Sequence, residues 1–172
     1  MIQNQMLSPH FSLKEMTDSQ TAVRYGIANV PSEQEIENLR RLCQGTLEPL
    51  REALQLPVVI TSGFRTKALN DKLAHSSERS QHMQGQAADL YIGSGLTVQG
   101  SGLSRRELLI KAFREILQNP KIDYDQLILY PNFIHVSYVS KEHNRHNILK
   151  ARSDGKLGYG KLSYANALLL NY

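Results

Sequence analysis

Apolar residues recur at three- and four-residue spacing over residues 36–54: Ile36, Leu39, Leu42, Cys43, Leu47, Leu50 and Leu54. That period puts them on one face of a helix. Ser32 stands ahead of the stripe with Glu35 three positions on, the signature of a capping box at a helix start. Gly45 and Pro49 fall inside the pattern, so a kink or break is expected there. A second stripe, Leu108, Leu109, Ala112, Phe113, Ile116 and Leu117, follows Ser104 and Glu107, another box, and stops at Asn119-Pro120. Nearer the N-terminus, Phe11 to Met16 reads as a helix entry with Ser12 as N-cap and Glu15 as its partner. Asp18 or Ser19 opens the next turn, and Ile27 to Pro31 reads as a turn. A further helix is expected over residues 66–74.

Four segments switch to strand character. Val58-Val59-Ile60-Thr61-Ser62 is a β-branched run broken by Gly63. Residues 86–92 form a second strand, and residues 124–130 and 133–139 two more, joined by Pro131-Asn132 in a hairpin connection. Residues 93–102, rich in Gly, Ser and Thr, read as a long loop. In the tail, Gly155, Gly158 and Gly160 suggest loop, and residues 164–170 a short apolar helix. Helices first, then short strands mixed with helices, predict an α+β fold with a small antiparallel sheet flanked by helices. Residues 1–150 are expected to form one domain, and residues 151–172 an extension packed on it or used for partner contact.

Composition narrows the class. The chain has 172 residues, 41% hydrophobic and 21% charged, ordinary for a soluble globular domain. No apolar run reaches the roughly 18 residues of a membrane span, so no membrane partner is expected. Residues 1–13 lack a basic stretch followed by an apolar one, which predicts cytoplasmic synthesis without a secretory signal. Cys43 is the single cysteine, so no internal disulfide can form; among Leu39, Leu42 and Leu47 it reads as a core thiol. The net charge of +4 is carried by dispersed Lys and Arg with no basic block, which argues against a nucleic-acid partner. A monomer is expected.

Candidate chemistry gathers in Ser80-Gln81-His82-Met83-Gln84-Gly85-Gln86-Ala87-Ala88-Asp89 and in Phe133-Ile134-His135-Val136-Ser137. Asp89 sits in an otherwise apolar strand, where a carboxylate is costly unless paired or metal-bound. His135 lies in another apolar run, with Phe133, His135 and Ser137 on one strand face. Gly85 permits a tight turn between His82 and the Asp89 strand. Two imidazoles and a carboxylate with a fourth position open suit a catalytic zinc, which makes a nucleophile of water. Arg65, just past Gly63 at a strand end, has the chemistry to clamp a carboxylate or an oxyanion.

Taken together, Ser62-Gly63-Phe64-Arg65, Ser80-x-His82-x-x-Gly85-x-Ala87-x-Asp89, Asp125-Gln126-Leu127-Ile128 and Phe133-Ile134-His135-Val136-Ser137 resemble the zinc D-Ala-D-Ala carboxypeptidase family. These are peptidoglycan peptidases of the LAS group with the hedgehog/D,D-peptidase fold. Residues 11–16 and 26–31 look like the branch found in bacteria and their phages. The resemblance covers about residues 9–150. It implies one zinc held by His82, Asp89 and His135. It implies Arg65 on the peptide carboxylate or carbonyl, and Ser80 supporting the loop that carries His82. The partner it implies is a peptidoglycan stem peptide, hydrolysed at a peptide bond by a carboxypeptidase or endopeptidase, such as a phage or prophage endolysin acting at the cell wall.

One departure stands out. Relatives carry an Asp or Glu three residues before the last histidine as general base; here that residue is Asn132, and an amide takes no proton at neutral pH. The related branch often has a Glu after the Asp-Gln-Leu-Ile strand, near the place of Tyr130. Tyr130 can donate a hydrogen bond to an oxyanion but is a poor base. Asp123, Asp125, His75 and His143 remain as substitutes, with Asp125 expected to be structural. Asn132 and Tyr130 also favour the alternative, a zinc-containing cell-wall-binding module that does not hydrolyse.

Overall fold

The structure, a computed structural model, describes residues 5–74, 76–93, 100, 102–151 and 158–170. A six-stranded sheet carries the site. Its strands are β3 (Val58–Ser62), β4 (Ala87–Ile92), β5 (Gln126–Leu129), β6 (Ile134–Ser137), β7 (Asn147–Ala151) and β8 (Tyr159–Lys161). They lie in the order β3-β4-β6-β5-β7-β8. Every neighbouring pair is antiparallel except β5 and β7, which run parallel. A two-stranded hairpin, β1 (Met6–Ser8) and β2 (Phe11–Ser12), precedes it. With its helices, the molecule is α+β.

The helices are α1 (Leu13–Thr17), α2 (Gln20–Tyr25), α3 (Glu33–Leu42), α4 (Glu48–Leu54), α5 (Lys67–Asn70), α6 (Arg105–Gln118) and α7 (Tyr164–Leu168). Ser32 with Glu35, and Ser104 with Glu107, form two of the three expected capping boxes, on α3 and α6, whereas the Ser12 and Glu15 pair forms only the Ser12 half. Ser12 Oγ accepts the Glu15 N–H at the start of α1, and Ser19 caps α2. Leu39, Leu42, Leu50, Leu108, Leu109, Phe113 and Ile116 point from α3, α4 and α6 into one core. They meet Leu90, Leu127, Leu129, Ile134 and Val136 on the inner face of the sheet. Each such side chain contributes roughly 1.5–3 kcal/mol when fully buried. Cys43 is fully buried among them, and burial pushes its thiol pKa up, so it is an inert core residue.

The expected break at Gly45 and Pro49 is instead a π-helical turn over Cys43–Leu47 that joins α3 to α4 without interruption. The wider turn sends the Glu48 N–H to Cys43 O, and Pro49, lacking an N–H, opens α4. The Gly45 carbonyl left over accepts the Asp123 N–H at 3.1 Å, which ties the helix to the chain entering β5.

The expected helix over residues 66–74 is shorter than its sequence suggests. Thr66 caps α5, which ends at Asn70 because the Asn70 amide turns to Ser77 O and its carbonyl takes the Ser76 hydroxyl. Strands β7 and β8 were not expected, and Gly160, read as loop, lies in β8. The tail helix is present as α7, with Ala167 buried and the Arg114 guanidinium of α6 donating to Leu170 O. Most of the long loop 93–102 and the tail position Gly155 lie outside the described residues.

Candidate metal centre and cleft

Strand register builds the site. Asp89 pairs with His135 across β4 and β6, and His135 pairs with Ile128 across β6 and β5. These positions face away from the helical core, because Ala88, Leu90, Ile134 and Val136 occupy the inner face. His82 comes from a single 3₁₀ turn, Gln81–Gln84, that runs straight into β4. Gly85 closes that turn at φ +67°, and a Cβ there would sit 2.4 Å from Glu35 O on α3. Only glycine therefore allows this turn to pack so closely on α3. Asn38 of α3 fixes it further by donating to Gln84 O at 2.8 Å.

The three predicted ligands converge. His82 Nε2 lies 3.2 Å from His135 Nδ1 and 3.3 Å from Asp89 Oδ1, and His135 Nδ1 donates to Asp89 Oδ1 at 2.8 Å. Ligand atoms bonded at about 2.0–2.2 Å to a tetrahedral zinc stand roughly 3.3–3.6 Å apart. The trio matches such a triangle with small outward movement, and the shortest edge is a hydrogen bond that metal would replace. Two nitrogens and one oxygen are also the donor set of catalytic zinc. Among the described residues, this is the one group of three His, Cys, Asp or Glu side chains placed to hold a metal ion.

Neighbouring groups fix the ligands. His82 is 3% exposed, and its Nδ1 stands 2.7 Å from Gly63 O. A carbonyl only accepts, so Nδ1 carries the proton and Nε2 turns a lone pair to the site. Burial lowers the His82 pKa and keeps the ring neutral, the form that binds metal. Burial alone would raise the Asp89 carboxyl. Its imidazole surroundings, with the His135 Nδ1–H donating to Oδ1, more than offset that and hold it well below the usual carboxylate range. Arg65 donates from Nη2 to Asp89 Oδ2 at 2.9 Å and from Nε to Ser62 Oγ at 2.9 Å. Its guanidinium orients the Asp89 carboxylate as well as facing the cleft.

A cleft of about 580 Å³ opens over these residues. Arg65, Ser80 and Tyr130 line it together with the three ligands, so six of the seven predicted site residues come together. Asn132 does not: it is exposed in the β5–β6 turn, outside the lining. Tyr130 stacks on Phe133 with ring centres 4.1 Å apart, and its hydroxyl lies 2.7 Å from that of Tyr159. Burial and the Tyr159 hydrogen bond push its phenol pKa up, so it stays protonated and cannot serve as a base.

The candidate bases have other occupations. Asp125 is fully buried and gripped by Arg145, whose Nε donates to Oδ1 at 2.8 Å and whose Nη2 contacts Oδ2. Gln81 donates to the same Oδ2 at 2.9 Å, so Asp125 anchors the turn that carries His82. Asp123 accepts from Asn144 and contacts His146. His143 contacts Ser140. His75 lies outside the described residues. Among the described residues lining the cleft, Asp89 is the only carboxylate.

The family model of Peptidase M15 matches residues 9–137, well over half of the chain. This chain belongs to the peptidase M15 family. Comparison with curated proteins gives no match. Members of the M15 family are zinc peptidases acting on peptidoglycan-related peptides, and the His82, Asp89 and His135 group is where this M15 chain could hold its metal.

Sequence reasoning did not single out three residues that shape the M15 site. Asn29 donates to Thr17 O and Phe64 O and accepts the Thr66 N–H, each at 2.9 Å, and so clamps the Gly63–Thr66 turn that presents Arg65. Arg145 holds Asp125. Tyr159 reaches the cleft from β8, beyond the family match. Asn29 stands in a quoted motif, Gly26 to Pro31, but nothing local marks its side chain as a clamp. Arg145 and Tyr159 arrive through long-range strand pairing that no local pattern encodes.

Proposed function

We propose that this chain is a zinc-dependent peptidase that hydrolyses a peptide bond in peptidoglycan stem peptides and acts at the cell wall. The observation that carries the reading is the convergence of His82 Nε2, Asp89 Oδ1 and His135 Nδ1 at the floor of a cleft large enough for several peptide residues. Bound there, zinc supplies Lewis acidity, which acidifies water and polarises a carbonyl. The chain's residues do the rest. The Gly63 carbonyl holds His82 in the required tautomer. Arg65 orients the Asp89 carboxylate and offers positive charge to the oxygen that becomes negative during attack. Tyr130, protonated at neutral pH, lines the cleft with its hydroxyl paired to that of Tyr159. Arg79, Arg145 and Arg65 outnumber Asp89 among the charged lining residues, which suits a peptide bearing free carboxylates.

A second reading is a zinc-containing module that binds the wall without cutting it. The specific observation in its favour is that Asp89, already committed to the ligand set, is the only carboxylate among the described lining residues. Digestion of purified muropeptides by the zinc-loaded protein, with mass analysis of the products, separates the two. The peptidase reading expects zinc-dependent cleavage that His82→Ala abolishes. Intact muropeptides that nevertheless bind would replace it with the second reading.

A further inference from the structure

We propose that Tyr159 is a specificity-determining residue of this cleft: its ring, tied to Tyr130 through the paired hydroxyls, forms a wall on which an apolar group of the bound peptide packs. The proposal rests on the peptidase reading and deepens it by assigning the substrate contact to the C-terminal strand.

The register explains how two residues far apart in sequence meet. Leu129 of β5 pairs with Lys150 of β7, and Ala151 of β7 pairs with Tyr159 of β8. Extending the first register by one residue sets Tyr130, Ala151 and Tyr159 in a row across three strands. Outer members of such a row are about 10 Å apart at the backbone. Ala151 between them is small, so the two long side chains lean over it and join, with hydroxyls 2.7 Å apart and rings edge to face at 5.9 Å.

The wall is held in place at its Tyr130 end. Phe133 stacks on Tyr130 at an interplanar angle of 13°, and the Tyr130 N–H donates to Phe133 O at 3.0 Å. Yet Tyr159 remains 52% exposed, so its ring surface is available to a ligand. Tyr130, Phe133 and Tyr159, with Ile128, are the apolar lining carried by the sheet and its β5–β6 turn, whereas Gln126 and Arg145 nearby are polar. Ile128 is the cross-strand neighbour of His135, which places the start of this wall beside the ligand group. Aromatic surface of this kind binds apolar groups without fixing their chemistry, and a tyrosine orders at low entropic cost. Tyr159 lies half exposed on a short edge strand, so truncating it leaves the core intact.

The test uses the zinc-loaded full chain with Tyr159→Ala and Tyr159→Phe, and purified muropeptides as the probe. Zinc content, muropeptide affinity by calorimetry, and kcat and KM are measured for each. The expected result is unchanged zinc content, a roughly tenfold loss of affinity and a matching rise in KM in Tyr159→Ala, with kcat changed less than about threefold. Tyr159→Phe, which keeps the ring, restores most of the affinity. Wild-type affinity in Tyr159→Ala overturns the inference and leaves the peptidase reading standing. A wild-type protein that holds zinc but neither binds nor cleaves muropeptides overturns both.

Discussion

The Gly63 carbonyl accepts the Nδ1–H of His82 at 2.7 Å, and the same glycine has no room for a side chain. A Cβ at Gly63 would stand 2.3 Å from Met16 O, which itself accepts the Phe64 N–H at 2.7 Å. Helix α1 therefore presses the turn into the position from which its carbonyl orients a metal ligand.

Gly63→Ala must push that turn away from α1. The expected cost is about 1–3 kcal/mol of stability from overpacking. Because the carbonyl moves with the turn, zinc affinity falls by roughly 10- to 100-fold, the usual effect of losing a group that orients a ligating histidine. Zinc titration alongside thermal melting checks both. Unchanged affinity in a protein destabilised to this extent would show that the carbonyl does not orient His82.

Asn29→Ala removes three hydrogen bonds at once, two of them buried and one partly buried. It leaves Thr17 O, Phe64 O and the Thr66 N–H without their side-chain partner. At about 0.5–1.5 kcal/mol for each, the loss is roughly 1.5–4.5 kcal/mol, or a Tm lower by about 3–18 °C at 2–4 °C per kcal/mol. Thermal denaturation measures it. A shift below 2 °C would mean that the clamp is not needed to hold the Arg65 turn.

Much of this was readable in the sequence, for reasons that differ by residue. His82, Gly85, Asp89 and His135 stood out because a carboxylate and an imidazole inside apolar strands have few uses, and because glycine marks a tight approach. The capping boxes at Ser32 and Ser104 are local, so spacing alone reveals them. The π-helical turn was not readable, since what stabilises it is Asp123, nearly 80 residues away, accepting at its own carbonyl from Thr46 and donating to Gly45 O. Strands β7 and β8 were missed for the same reason: a parallel partner for β5 and an edge strand containing Gly160 leave little alternation to detect. The role of Asp125 was foreseen as structural, but its partner Arg145 was not.

Asp125 makes stability depend on acid pH in a defined window. Burial alone would raise its carboxyl, but Arg145 and Gln81 more than offset this and hold it at about 2, against 3.8 for the free group. Between these values the unfolded chain binds more protons, so stability rises with pH. The contribution is full above about pH 4 and is lost as pH falls through 2. Urea melts of wild type and Arg145→Ala should differ by about 3 kcal/mol at pH 7, a modest value for a buried carboxylate whose partner is half exposed. The two should converge toward pH 2. A difference independent of pH would assign the effect to packing rather than to charge.

Asn132→Asp places a carboxylate where relatives carry one in sequence, but in this fold the side chain lies outside the cleft lining. Zinc content and kcat are expected to stay within about twofold of wild type. A tenfold gain in muropeptide hydrolysis would show that the β5–β6 turn brings this position to the reacting bond.

The most direct test of the metal centre is calorimetric titration of metal-stripped protein with zinc, in wild type, His82→Ala and His135→Ala. The geometry predicts one zinc per wild-type chain, with the proton of the His135 ring moving to Nε2 as Nδ1 takes the metal, and no comparable uptake by either variant. Failure of the wild-type protein to take up zinc, or equal uptake by the two variants, would contradict the assignment of His82, Asp89 and His135 as its ligands.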